Sequence, residues 1–289
     1  MQQGGRIMER MTDPAKFQEA CLSWRGRGRR VALVPTMGYF HEGHLSLMRY
    51  ARANADKVAV SLFVNPAQFG PAEDLASYPR DLERDAALAE AEGVDILFAP
   101  SSEAMYPRPQ EAWVEVPALA RHLCGRSRPI HFRGVCTVVT KLLHLAMPHM
   151  AVFGEKDWQQ LAILRRMAAD LNFPVSIVGR PIAREADGLA MSSRNVYLSP
   201  EERAQAPYLR KGLLRIGELA RAGERQAAAL RQELASYYKT HAPLGEPDYL
   251  EFTDPEDIEP VERLGERTLA AVAVKFPGAR LIDNLLITL

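Results

Sequence analysis

Apolar positions over the first two thirds of the chain fall into short continuous runs that alternate with helically spaced stripes. Residues 30–36 form an apolar run ending in Pro-Thr-Met-Gly, and residues 44–55 then set Leu45, Met48 and Ala51 or Arg52 at helical spacing. That stretch reads as strand, tight turn and helix. Residues 57–64 (KVAVSLFV) predict a buried strand, 80–93 an Ala-rich amphipathic helix ended by glycine, and 94–98 another strand. The alternation continues with a helix over 134–147, a strand over 150–153, a helix over 157–171 and a strand over 175–178. Strands separated by helices predict a parallel sheet with right-handed crossovers. Beyond residue 182 the rhythm changes. A loop-like stretch, READGLAMSSRN, leads into Ala-, Arg- and Glu-rich helices over 200–238, and two strands, 248–253 and 267–276, flank the acidic turn DPEDIEP. The expected fold class is α/β, with a parallel-sheet N-terminal domain over residues 1–182 and a smaller α+β C-terminal domain over 183–289.

Composition fits that division: a chain of 289 residues exceeds what a single small core usually holds. Its 36 basic residues balance 36 acidic ones, so no global field favours nucleic acid or a membrane. Arg25, Arg27, Arg29 and Arg30 cluster locally and read as a solvated edge, the alternative being an arm for nucleic acid. Cys21, Cys124 and Cys136 are odd in number and lack C-x-x-C spacing, which fits a reducing compartment. Residues 1–13 contain no secretory apolar region, and no later stretch approaches the roughly 20 apolar residues of a membrane span. The expectation is a cytoplasmic protein.

Chemistry concentrates where predicted strands end. PTMGYFHEGHL, residues 35–45, lies at a strand-to-helix turn, the place where parallel sheets bind nucleotides. Helix-start N–H groups and the helix dipole favour phosphate there, Gly38 and Gly43 allow close approach, and His41 and His44 offer hydrogen bonds or charge. Their spacing of three, across a glycine, does not match a zinc-protease pair, which needs four. FVNPAQFGPAEDLASYPRD, residues 63–81, supplies the amides Asn65 and Gln68, suited to a small polar substrate, although most of the segment also reads as a capping loop. GEKDWQQL, residues 154–161, again follows a strand: Lys156 is either a point charge for phosphate or an exposed helix-start lysine, and Gln160 can face the same cleft. DGLAMSSRN, residues 187–195, sets Ser192, Ser193 and Arg194 in a loop that suits either a triphosphate or an ordinary turn. SRPIHFRGV, residues 127–135, adds Arg128, His131 and Arg133.

Taken together and in this order, PTMG with HEGH, FVNPAQF, SRPIHF, GEKDWQQL and DGLAMSSRN resemble the pantothenate synthetase family. HxGH alone marks only the wider superfamily of nucleotidylyltransferases and class I aminoacyl-tRNA synthetases. The resemblance implies a Rossmann-like N-terminal domain, a C-terminal lid and a homodimer. It also implies joining of pantoate to β-alanine through a pantoyl adenylate, at the expense of ATP with Mg²⁺ and with no tightly bound organic cofactor. By that resemblance Pro35, Thr36, Met37, Gly38, Tyr39, Phe40, His41, Glu42, Gly43 and His44 line the ATP site, joined by Gly154, Glu155, Lys156, Asp157, Ala183, Met191, Ser192, Ser193 and Arg194. His44, His41, Lys156, Ser192, Ser193 and Arg194 carry the catalytic roles, and Asn65, Gln68, Tyr78, Arg128, His131 and Gln160 meet the other substrates. Mg²⁺ is held mainly through the ATP phosphates, with Asp85 as a candidate protein ligand. Tyr39-Phe40 departs from the Ala-Leu common in the family, and Trp158 stands where Tyr or Phe is common. The rival enzyme is a nucleotidylyltransferase that makes no amide; the rival binding module would show salt-sensitive RNA binding without ATP turnover.

Overall fold

The computed structural model describes residues 8–71, 73–107 and 110–289, so the first part of the polar N-terminal stretch, residues 1–7, lies outside the described residues. The chain divides into two compact units. The first comprises residues 1–116, 130–154 and 163–180, and the second comprises 117–129, 155–162 and 181–289.

Among the described residues, six strands build the first unit: β1 (Glu9–Met11), β2 (Val31–Thr36), β3 (Lys57–Leu62), β4 (Ile96–Phe98), β5 (Met150–Gly154) and β6 (Ser176–Arg180). They lie in the order β1-β4-β3-β2-β5-β6, and every pairing is parallel. From β2 the chain moves outward through β3 to β4, then returns to the other side of β2 for β5 and β6. The order therefore reverses between β2 and β5, and loops leaving their C-terminal ends diverge to open a crevice.

The inner strands β2, β3, β4 and β5 are largely apolar on both faces, as strands covered by helices on both sides are. On one face Met48 and Ala51 of the helix Glu42–Asn54 and Ala86 and Ala89 of the helix Leu82–Ala91 pack on Ala32, Val34, Val58 and Val60. The opposite face receives the helices Pro14–Gly26 and His131–Ala146, and Phe17 stacks on Phe98 with ring centroids 4.2 Å apart. Full burial of each large apolar side chain is worth about 1.5–3 kcal/mol, and this fill fixes the layers. The helix Pro14–Gly26 is additional to those the periodicity predicts. Asp13 caps it by accepting from Ala15 N and Lys16 N, and Pro14 takes its first position. Arg27, Arg29 and Arg30 are exposed, as a solvated edge should be, whereas Arg25 is half-buried and donates to the Met147 carbonyl.

The second unit contains β7 (Glu246–Thr253), β8 (Arg267–Lys275) and β9 (Arg280–Thr288), antiparallel in the order β7-β8-β9. The helices Tyr208–Arg221 and Ala227–His241 lay Leu213, Ile216, Leu230 and Leu234 against Phe252, Val272 and Leu281. Strand β9 is also additional to the expected elements. Asp283-Asn284 breaks its apolar run with two residues typical of turns. Among the described residues, no helix is long and apolar enough to cross a membrane.

Candidate active site

Residues leaving β2 form a short strained turn before the next helix. Gly38 and Tyr39 both adopt positive φ, 88° and 53°. A Cβ on Gly38 would lie 3.1 Å from both the Asp85 carboxylate and the Leu62 side chain, so the position favours glycine on space as well as on backbone conformation. Tyr39 lacks glycine's freedom, and its left-handed conformation is sustained by an external clamp. Asp85, fully buried on the helix Leu82–Ala91, accepts from Tyr39 N at 2.5 Å and from Phe40 N at 2.7 Å. Arg84 closes the clamp: it donates to the Phe40 carbonyl at 2.8 Å and stands 5.1 Å from the Tyr39 ring. Burial holds the Asp85 carboxyl pKa above its ordinary value, an effect that the two backbone N–H groups and the Arg84 charge only partly offset.

The helix begins at Glu42, two residues earlier than its periodicity suggests, because both histidines cap it. His41, at the N-cap, accepts from Gly43 N through Nδ1 at 3.1 Å, and His44, three residues on, accepts from His41 N through Nδ1 at 3.3 Å. This is a capping box with imidazoles in place of the usual hydroxyl and carboxylate. Because each Nδ1 accepts, each neutral ring carries its proton on Nε2. The rings lie 4.1 Å apart, and Phe40, fully buried, backs His44 at 5.5 Å. A pair of oriented N–H donors thus stands at the start of a helix beside the reversal point of the sheet.

Beyond β3, Asn65 is nearly fully buried, and its amide is committed within the protein. Oδ1 accepts from the Tyr106 hydroxyl at 2.8 Å and from Ala67 N at 3.2 Å, while Nδ2 donates to Gln68 Oε1 and to the Gly134 carbonyl, both at 3.1 Å. Burial raises the Tyr106 pKa, which keeps that hydroxyl a donor. Asn65 thereby sets the orientation of the Gln68 amide, whose Nε2 approaches Met37 Sδ at 2.9 Å. His131, the first residue of its helix, lies 3.0 Å from the Gln68 carbonyl through Nδ1; a carbonyl only accepts, so this ring donates from Nδ1, the opposite tautomer to His41 and His44. Gly134 permits the approach, since a Cβ there would come within 2.3 Å of the Ala67 carbonyl oxygen. Tyr78 is buried edge-on to Phe69, with ring centroids 6.1 Å apart. The structure therefore brings Met37, His41, His44, Asn65, Gln68 and His131 into one connected part of the first unit.

Apart from Gly154, which ends β5, the remaining expected residues belong to the second unit. Glu155–Asp157 forms a 3-10 turn into the helix Trp158–Asp170, with Lys156 half-buried and its Nζ 3.9 Å from Asp157. Two adjacent glutamines there have different surroundings: Gln160 is partly exposed, whereas Gln159 is buried, accepting from Cys124 N and donating to the Leu119 and His122 carbonyls. Gln159 thus holds the segment that continues to Arg128. Residues 183–191 fold as a tight hairpin in which Met191 N donates to the Ala183 carbonyl at 2.9 Å and Glu185 N to the Leu189 carbonyl at 2.8 Å. It delivers Ser192 as N-cap of the 3-10 helix Ser193–Tyr197, its hydroxyl accepting from Arg194 N at 3.2 Å. Arg128 and His131, grouped as one basic loop by the sequence, fall in different units.

Among the described residues, no three His, Cys, Asp or Glu side chains are gathered as a metal cage. Asp85, named above for Mg²⁺, has both oxygens engaged by loop amides.

Several contributors escape pattern reading because they act at a distance in sequence: Arg84, Tyr106 and Gln159 show their roles only once their partners are in place. Gly134 is visible as a helix-start glycine, but not as the point where that helix meets residues 67 and 68.

A doubly wound parallel sheet with helix-capping histidines at its reversal point is the architecture of a nucleotide-binding α/β fold. The chain belongs to the pantoate-beta-alanine ligase family, whose model matches residues 9–286. It is 60% identical over 280 residues to a pantothenate synthetase from Nitratidesulfovibrio vulgaris (strain DP4), covering 97% of this chain and 99% of that one. The crystal structure of pantothenate synthetase from Thermus thermophilus superposes with a TM-score of 0.92 at 46% identity, covering 98% of this chain and all of the other. That of pantoate-beta-alanine ligase from Francisella tularensis, complexed with beta-gamma ATP and beta-alanine, gives 0.78 at 31% identity, over 97% and 98% of the two chains. The expectation drawn from the motifs holds: the protein is a ligase of pantothenate biosynthesis.

Proposed function

We propose that the first unit positions ATP and pantoate for attack of the pantoate carboxylate on the α-phosphorus. The observation that carries this reading is the His41–His44 capping box, which presents two Nε2–H donors at a helix start held by the Asp85 clamp. In-line transfer at phosphorus needs placement and stabilisation of developing charge, and oriented donors supply both. One P–O bond forms to a carboxylate oxygen and the bond to pyrophosphate breaks, leaving pantoyl adenylate. The neutral amine of β-alanine then attacks the acyl carbon, and AMP departs with the bridging oxygen.

Gln68, oriented by Asn65, and Gln160 are assigned to pantoate, with Tyr78 and His131 shaping its surroundings and Arg128 adding charge. Lys156, Ser192, Ser193 and Arg194 are assigned to the triphosphate, and Gly154, Asp157, Ala183 and Met191 to the rest of the nucleotide. Mg²⁺ enters as part of the ATP substrate, and no protein nucleophile is required. The family resemblance supports a homodimer, and three buried, unpaired cysteines suit the reducing conditions of a cytoplasm.

The test is an incubation with ATP, Mg²⁺, pantoate and β-alanine. AMP, pyrophosphate and pantothenate should appear in equal amounts, with no AMP when pantoate is omitted. ADP and orthophosphate in place of AMP and pyrophosphate would contradict attack at the α-phosphorus.

A further inference from the structure

Strand β9 carries the adjacent polar residues Asp283 and Asn284, exposed by only 4% and 6% within the second-unit sheet. Neighbouring residues on a strand point to opposite faces, so the two reach different partners. Asp283 forms a two-pronged ion pair with Arg184, at 2.8 and 2.9 Å, and its Oδ1 also accepts from Asn284 N at 2.7 Å. Arg184 donates in turn to the Gly188 carbonyl at 3.0 Å, across the hairpin that delivers Ser192 and Arg194. On the other face Asn284 Nδ2 donates to the Glu155 carbonyl at 2.9 Å and to the Lys156 carbonyl at 3.0 Å. Burying a polar pair in a sheet is costly unless it finds hydrogen-bond partners, and both side chains find them in segments that carry proposed phosphate-handling residues.

We propose that Asn284 is a positioning residue for Lys156, with Asp283 fixing β9 from the opposite face through Arg184. The inference rests on the assignment of Lys156 to the triphosphate. An ammonium on a flexible four-carbon stem has no preferred direction of its own, so the backbone from which it springs must be fixed. The Asn284 amide supplies two N–H donors to the two carbonyls flanking the Lys156 Cα. The turn is thereby pinned to a strand that is itself hydrogen-bonded along its length to β8. Because Asn284 holds the backbone from which Lys156 springs, its loss should slow adenylate formation without adding to the loss of Lys156.

The experiment measures single-turnover adenylate formation and thermal unfolding for Asn284→Ala, Asn284→Asp, Lys156→Ala and the Asn284→Ala/Lys156→Ala pair. Asn284→Asp keeps the shape but turns a donor into a carboxylate facing two carbonyls, which covers the case in which Asn284→Ala does not fold. Either Asn284 variant should slow adenylation by about 10- to 100-fold, as displaced supporting groups do. In the Lys156→Ala background, Asn284→Ala should change the rate by no more than about twofold. Equal slowing by Asn284→Ala in both backgrounds would overturn the proposal, and so would folded Asn284 variants at the wild-type rate. A Lys156→Ala enzyme at the wild-type rate would instead overturn the assignment of Lys156, a separate result.

Discussion

Asp85 illustrates how one buried carboxylate can organise a site without touching the reacting atoms. Its two oxygens meet two successive amide N–H groups of the loop, so a side chain offering only one acceptor cannot replace it. Asp85→Asn leaves one of those N–H groups facing an NH₂ group. It should lower stability by about 1–3 kcal/mol, read by chemical denaturation, and should weaken ATP use because His41 and His44 follow directly from the clamped turn. Unchanged stability would show that the clamp is dispensable. At this scale the sequence singles out residues that the structure brings close together, and says less about the contacts each of them makes. His41 and His44 were legible from PTMG-HEGH, but their capping roles depend on imidazole edges that a string of letters does not show. Asn65 was legible as a polar residue in a loop, whereas its commitment to Gln68, Tyr106 and Gly134 depends on partners up to 69 positions away.

Elements of the second unit are tied by a charge that should respond to acid. Asp248 on β7 accepts from Ser127 and Arg280 and pairs with Lys275. Burial pushes its carboxyl pKa up, but the hydrogen bonds from Ser127, Arg280 and Lys275 outweigh it and hold the value down at about 2. A carboxylate depressed in the folded state stabilises the fold fully above its unfolded value, near ~4, and the contribution is lost as pH falls through the folded value. Wild type should therefore lose its advantage over Asp248→Asn between about pH 4 and pH 2, by about 1 kcal/mol once solvent screening is allowed for. Denaturant unfolding at pH 6, 4 and 2 measures this; a difference independent of pH would contradict the assignment. Among elements, the sheet strands with continuous apolar runs were readable. Strand β1 has only three residues, two of them charged, and β9 is interrupted by Asp283-Asn284. The same two residues that hid β9 are those whose buried contacts give it a further role.

For the molecule as a whole, strand order does what periodicity cannot. Alternating runs and stripes predict a parallel sheet, but only the order β1-β4-β3-β2-β5-β6 places the PTMG-HEGH turn at the reversal point. Family membership then names the substrates to be joined, and the site is proposed to direct the pantoate carboxylate to the α-phosphorus of ATP. The claim can be tested with pantoate labelled with ¹⁸O in its carboxylate, supplied with ATP, Mg²⁺ and β-alanine, with the label located in the products by mass spectrometry. Attack at the α-phosphorus followed by acyl transfer predicts one labelled oxygen in each AMP and none in pyrophosphate. Label in orthophosphate formed alongside ADP, or its complete retention in pantothenate, would contradict attack at the α-phosphorus.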